Sequence, residues 1–265
     1  MTHPLIERLR DPDLETRRSA CAEAATDPSA ILLVDALCAA LADDEKIVAR
    51  TASDALAAIG ARDATVPGHL HALLGAESPD ARWWAAFTIA RLEPPPIKLL
   101  PTLLAALEHE QGDVRWSAAK ILVEMGRLQA EVLPVVLHFV TSDERPAARR
   151  MAIFCLRELA PDRPETAHAL LDASRAADLE VRRAALGAMA ALMEPPAAAW
   201  VRLTEAAETD ADPASRRLAV GAIAGLARGP GGAPGREWLR HAAEASDDPR
   251  TREAALRALA QHGVG

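Results

Sequence analysis

The chain of 265 residues contains no tyrosine, 3 phenylalanines and 5 tryptophans. With so few rings, alanine and aliphatic side chains must fill the interior. Its 3 cysteines cannot all pair with one another, and none stands in a CxxC or similar ligand spacing. That excludes a disulfide framework and a zinc framework, and points to a reduced, cytoplasmic protein. No apolar run reaches the roughly 18 residues of a membrane span, so no membrane partner is expected. Residues 1–10 scatter their apolar side chains among charges, unlike a secretory signal. The glycine-rich stretch at 229–235 lacks the Lys-Ser/Thr that completes a phosphate-binding loop. What remains is 50% hydrophobic and 26% charged, with a net charge of −8. Alanine, the strongest helix former, dominates. A mostly helical globular chain follows.

The alanines are periodic. Taking as position zero the first core-facing residue after each acidic turn gives Thr16, Val48, Ala81, Val114, Ala148, Val181, Ser215 and Thr251, spaced 32 to 36 residues apart. Four residues on stands Ala20, Ala52, Ala85, Ala118, Ala152, Ala185, Ala219 and Ala255. Eight residues on comes Ala24, Leu56, Ile89, Leu122, Leu156, Met189, Ile223 and Leu259. Positions 0, 4 and 8 share one face of a helix, so a recurring alanine there predicts close helix–helix approach. Asp13, Asp178, Asp212 and Asp248 stand where an N-cap belongs, and Pro79, Pro213 and Pro249 where a first-turn proline is harmless. A second apolar stretch precedes each cap. Each repeat is therefore a hairpin of two helices that must stack on its neighbours.

The segments 178–189, 112–119 and 248–255 resemble the second helix of bacterial HEAT repeats of the phycobilisome-lyase-like type. The resemblance covers essentially the whole chain. It implies an all-α fold, an α–α superhelix formed as a right-handed solenoid of about eight hairpins, with second helices lining a concave side. One domain over 1–265 is expected, with repeats near 1–28, 29–62, 63–94, 95–128, 129–161, 162–195, 196–229 and 230–265. The family uses the arginine at position +1 to pair with acidic turn residues. Here that position holds Arg17, Arg82, Arg115, Arg149, Arg182, Arg216 and Arg252, and the candidate acids are Asp13, Asp113, Glu180, Asp212 and Asp248.

Position +2 lies about 200° from position zero, away from the core. It reads Arg18, Arg50, Trp83, Trp116, Arg150, Arg183, Arg217 and Glu253. Phe87, Lys120 and Phe154, at +6, lie near the same surface. Indoles flanked by guanidinium groups have the composition of a protein-binding hot spot. The expected partner-binding set is Arg18, Arg50, Trp83, Phe87, Trp116, Lys120, Arg150, Phe154, Arg183 and Arg217. Trp83 and Trp116 are its solvent-facing anchors, and Trp84 at +3 is a wedge between repeats. The acidic turns (Asp43–Glu45, Asp143–Glu144, Asp210, Asp212, Asp247, Asp248) would rim this basic stripe. The combination favours an acidic or amphipathic protein segment as the partner.

Two other readings carry less support. Some HEAT-like proteins are DNA glycosylases, with tryptophan, arginine and a carboxylate in the groove. Four residues beyond Trp83, Trp84 and Trp116 come Phe87, Thr88 and Lys120, so that aspartate is missing; the alternative left is nucleic-acid or nucleotide binding in the concave groove, with the acidic net charge opposing long nucleic acid. A bilin-lyase-like enzyme rests on the resemblance alone, because Cys21, Cys38 and Cys155 occupy apolar helical slots. The eight histidines share no repeat position, so no metal, cofactor or catalytic residue is expected. The reading is a non-enzymatic scaffold or adaptor.

Overall fold

The computed structural model describes residues 3–142 and 145–262. The Asp143–Glu144 pair, Gly265 and the His262 side chain lie outside the described residues. No strand occurs among those described. Contacts gather into two compact units, 1–128 and 129–265, divided where the fourth and fifth repeats were expected to meet.

The first unit holds four hairpins: α1 (Pro4–Arg8) with α2 (Leu14–Ala24), α3 (Val34–Ala40) with α4 (Lys46–Gly60), α5 (Val66–Leu73) with α6 (Pro79–Leu92), and α7 (Leu100–Ala106) with α8 (Gly112–Leu128). The second holds α9 (Val132–Ser142) with α10 (Pro146–Leu159), α11 (Pro164–Ala173) with α12 (Leu179–Ala188), α13 (Ala197–Thr209) with α14 (Pro213–Leu226), and α15 (Ala233–Ala245) with α16 (Pro249–His262). In each unit the second helices pack on one another in chain order: α2, α4, α6, α8 in the first, and α10, α12, α14, α16 in the second. First helices form the other layer, as in α3 on α5 and α9 on α11. This is the two-layer arrangement of an α–α solenoid.

The alanine at position +4 explains the close packing. All eight, from Ala20 to Ala255, are fully buried, and a larger side chain there has no room to enter. Position zero is buried in seven repeats and half-buried at Thr16. The starts obey the cap chemistry. Asp13 accepts from Thr16 N at 2.8 Å, Asp178 from Val181 N at 2.9 Å, and Asp212 from Ser215 N at 2.7 Å. These bonds satisfy amide groups that a helix start otherwise leaves unpaired.

The +1 arginines staple the turns, largely through backbone rather than the anticipated acids. Arg82 donates to the carbonyls of Ala76 (2.6 Å) and Glu77 (2.7 Å), Arg115 to those of His109 and Glu110, and Arg182 to that of Ala176. These carbonyls lie in the turns just beyond the first helices, outside their intrahelical hydrogen bonds. Where carboxylates join in, they come from the next hairpin: Arg17 with Asp43, Arg182 with Asp210, and Arg216 with Asp248. Of the five candidate acids, Asp248 is the one seen engaged in this way among the described residues.

The glycine-rich segment 228–236 joins α14 to α15 and is shorter as a loop than its composition implies. Gly235 already lies in the first turn of α15, pressed against Trp200 of α13. A β-carbon there would sit 2.7 Å from the indole, which explains why only glycine fits.

Candidate functional site

The second-helix layer of the first unit contains an open cleft of about 430 Å³. Its walls are Lys46, Arg50 and Asp54 from α4, Trp83, Trp84, Phe87 and Arg91 from α6, and Asp113, Val114 and Ser117 from α8. Helical spacing makes this set. Arg50 and Asp54 are one turn apart on α4, and Trp83, Phe87 and Arg91 form a four-residue stripe on α6.

The floor is aromatic. Trp83 and Phe87 ring centroids lie 5.6 Å apart, Trp84 meets Phe87 edge-on at 5.6 Å, and the two indoles are 6.3 Å apart. The Arg91 guanidinium lies 5.6 Å from the Phe87 centroid, a cation–π distance. Beneath, the Thr88 hydroxyl donates to the Trp84 carbonyl (2.6 Å) and accepts from Ser53 (2.7 Å), tying α6 to α4 in the buried layer. The aromatic wall therefore stands on a fixed base.

Two ion pairs bound the cleft. At the N-terminal ends of the helices, Lys46 Nζ contacts both Asp113 oxygens, at 2.8 and 2.7 Å. Further along, Arg91 pairs with Asp54 at 2.7 Å. Between them stands Arg50, exposed and without a hydrogen bond or ion pair among the described residues. Three cations face two carboxylates, so the cleft carries one uncompensated positive charge. The Lys46 ammonium holds the Asp113 carboxyl below its ordinary range.

The expected binding residues divide. Trp83 is 4% exposed, so its role as a solvent-facing anchor is corrected. The +2 position does point away from its own core stripe. The indole is nevertheless long enough to be covered by Trp84 and Phe87, and it reaches a second cleft beside Leu74, Thr102 and Ala105. Its Nε1 is buried with no hydrogen-bond partner among the described residues. Trp84 is buried at 7%, as a wedge should be. Phe87 is half-buried in the cleft. Trp116 is 47% exposed and does not line the cleft, so the two predicted anchors do not converge there. Lys120, one turn beyond Trp116 on α8, is exposed and forms no ion pair among the described residues.

The arginine row is likewise not uniformly available. Arg18 is paired with Glu15. In the second unit Arg150 meets Glu180 at 3.3 Å, while Arg183 binds Asp212 through two bonds of 2.8 Å and Glu180 at 2.7 Å. Phe154 carries the Arg157 guanidinium over its ring at 5.2 Å. Arg217 is exposed. The expected row of free guanidinium groups is therefore corrected: acids three residues earlier on the same helix (Glu15, Glu180) and acids of the next hairpin (Glu180 for Arg150, Asp212 for Arg183) neutralise part of it. The sequence reading missed Lys46, Asp54 and Arg91. Asp54 at +6 and Arg91 at +10 were accessible to the same helical arithmetic. The Lys46–Asp113 contact was not, because it skips a repeat.

Burial pushes the thiols of Cys21, Cys38 and Cys155 up to about 12, which keeps them protonated and poorly nucleophilic. The histidines of the first unit sit beside separate carboxylates: His3 with Asp27, His69 with Asp35, His71 with Glu93, and His109 with Asp80.

Comparison with known families matches residues 66–157, which span α5 to α10, to the family model described as HEAT repeats. Residues 66–157, about a third of the chain, are thus similar to HEAT repeats. The aromatic wall of α6 and the α8 side of the cleft lie inside this matched HEAT segment. No curated protein matches the chain. Among solved structures, the complex of CpcE and CpcF of phycocyanin lyase from Nostoc sp. PCC7120 is similar at 24% identity and a TM-score of 0.51, covering 62% of this chain and 99% of that one. Yeast importin-β (Kap95p) is similar at 14% identity and a TM-score of 0.63, covering 96% of this chain and 40% of that one. A structure concerned with Kap95p binding to RanGDP gives 0.65 with the same identity and coverage. The chain thus spans less than half the length of importin-β. These likenesses show the α–α solenoid fold. No helix among the described residues is long and apolar enough to cross a membrane.

Proposed function

We propose that the protein is a non-enzymatic interaction scaffold that grips an acidic or amphipathic segment of a partner protein on the second-helix face of its first unit. The observation that carries this reading is the combination on α4, α6 and α8: an aromatic-walled cleft, an unpaired Arg50 inside it, and Trp116 with Lys120 exposed beside it. Aromatic and cationic side chains presented together form interfaces with acidic, apolar-bearing chains. The solenoid relatives agree in kind, since CpcE stands in complex with CpcF and Kap95p binds RanGDP. The protonated, buried thiols support a role without covalent chemistry and a reducing, cytoplasmic setting.

Capture of partners from native lysate, comparing wild type with a Trp116→Ala/Lys120→Ala variant, tests the reading. Selective loss of a protein that elutes with salt supports it. Identical captured sets refute it, and so does capture dominated by nucleic acid.

A further inference from the structure

The Lys46–Asp113 pair is unusual in its reach. Arg17–Asp43, Arg91–Asp54, Arg183–Asp212 and Arg216–Asp248 each join adjacent hairpins. Lys46 and Asp113 lie 67 positions apart and join the second hairpin to the fourth, passing over the third. Both line the cleft whose wall is the third hairpin's aromatic stripe. The pair is solvent-accessible, with side chains 34% and 64% exposed, so it adds little to stability and opens at little cost. An internal carboxylate thus occupies one of the cleft's cations while Arg50, one turn along the same helix, has none.

That geometry describes a site with its own weak competitor. A bound carboxylate would gain Arg50 outright and could take the place of Asp113 on Lys46. Beside it lies the half-buried Phe87 ring, backed by the edges of the Trp83 and Trp84 indoles that reach the cleft, which favours a flat apolar group. The cleft volume of about 430 Å³ is within the usual range for sites that enclose a small group. Because Asp54 already neutralises Arg91, a single negative charge balances the site. A segment with many adjacent charges would leave some of them unpaired.

Building on the scaffold reading, we propose that the cleft receives an aromatic–acidic step of the partner polypeptide, its ring against Phe87 and the cleft-lining edges of Trp83 and Trp84, and its carboxylate on Arg50 and Lys46 in place of Asp113. Asp113 is then an autoinhibitory latch. The distinguishing consequence is a sign: removing the charge of Asp113 strengthens binding, whereas loss of a merely structural pair leaves it unchanged or weakens it.

The test uses N-acetyl-Phe-Glu-amide and N-acetyl-Phe-Gln-amide as probes, titrated to millimolar concentration into the full ¹⁵N-labelled chain. The indole N–H resonances are followed. Both indoles line the cleft, so a ring placed against Phe87 shifts their resonances. The Phe-Glu probe is expected to shift the Trp83 and Trp84 signals saturably, and the Phe-Gln probe to bind about fivefold more weakly. Asp113→Asn is expected to tighten the Phe-Glu probe about threefold, and Arg50→Ala to weaken it about fivefold, with unchanged melting curves. The proposal is overturned if Phe-Glu leaves both indoles unmoved, if Phe-Gln binds equally well, or if Asp113→Asn fails to tighten binding. AMP binding more tightly than Phe-Glu through the same residues would also overturn it, in favour of a nucleotide. If partner capture still depends on Trp116 and Lys120 while these results fail, the scaffold reading survives and the latch does not.

Discussion

Lys46 Nζ and Asp113 Oδ2 stand 2.7 Å apart although a whole helical hairpin separates them in sequence. Their contact crosses the face of α6 and converts three stacked second helices into a bounded cleft. Exposed pairs of this kind contribute at most about 1 kcal/mol. Asp113→Asn should therefore shift the urea unfolding midpoint only slightly, with less than about 1 kcal/mol of destabilisation. A larger loss would make the pair a structural strut.

The two tryptophans at position +2 should behave oppositely. Trp83→Ala removes a side chain that is 4% exposed and should cost about 3–5 kcal/mol. Trp116→Ala removes one that is 47% exposed and should cost about 1 kcal/mol or less, while weakening partner binding by about 2 kcal/mol. Thermal melts and calorimetric titration with the captured partner measure both.

Gly235 offers a packing test in the second unit. Gly235→Ala places a β-carbon 2.7 Å from the Trp200 ring and 3.2 Å from the Ala227 side chain. Overpacking of this kind costs about 1–3 kcal/mol. Gly68→Ala, where nothing lies within 4 Å of the new atom, serves as the control and should not destabilise by this route.

Acid should loosen the helix starts. Asp212 is held well below the ordinary carboxylate range, first by Arg183 and then by Ser215. Asp13 is held low by Thr16, and Asp248 by the backbone of Arg250. A depressed carboxyl contributes stability above its unfolded value near 3.8, and that stability is lost as pH falls through the folded value. Asp212→Asn should thus be destabilised against wild type at pH 7, with the gap closing below about pH 3. Urea midpoints across that range read the difference.

The thiols give a readout of the core. With Cys21, Cys38 and Cys155 pushed up to about 12, a disulfide-exchange reagent at pH 8 should react slowly with the native protein and count three thiols after urea.

The fold was legible because it is written in repetition. Ala20 through Ala255 recur at one helical slot, and each is fully buried. The caps Asp13, Asp178 and Asp212 form the bonds that their spacing implies. The surface was less legible. The helical angle of Trp83 was read correctly, but exposure depends on what neighbouring hairpins and flanking rings cover. Glu180 stands three residues before Arg183 in sequence, but only stacking brings Glu180 onto Arg150 and Asp212 onto Arg183. The Lys46–Asp113 contact needs the spacing of three helices at once, which no nearest-neighbour rule supplies.

The central claim is that the second-helix face of the first unit binds an acidic partner segment. It is tested most directly by measuring the captured partner's affinity for wild type, Arg50→Ala and Trp116→Ala by calorimetry at low and moderate salt. The account predicts about fivefold weakening or more for each variant, with wild-type affinity falling as salt rises. Equal affinity for all three proteins, insensitive to salt, would contradict it.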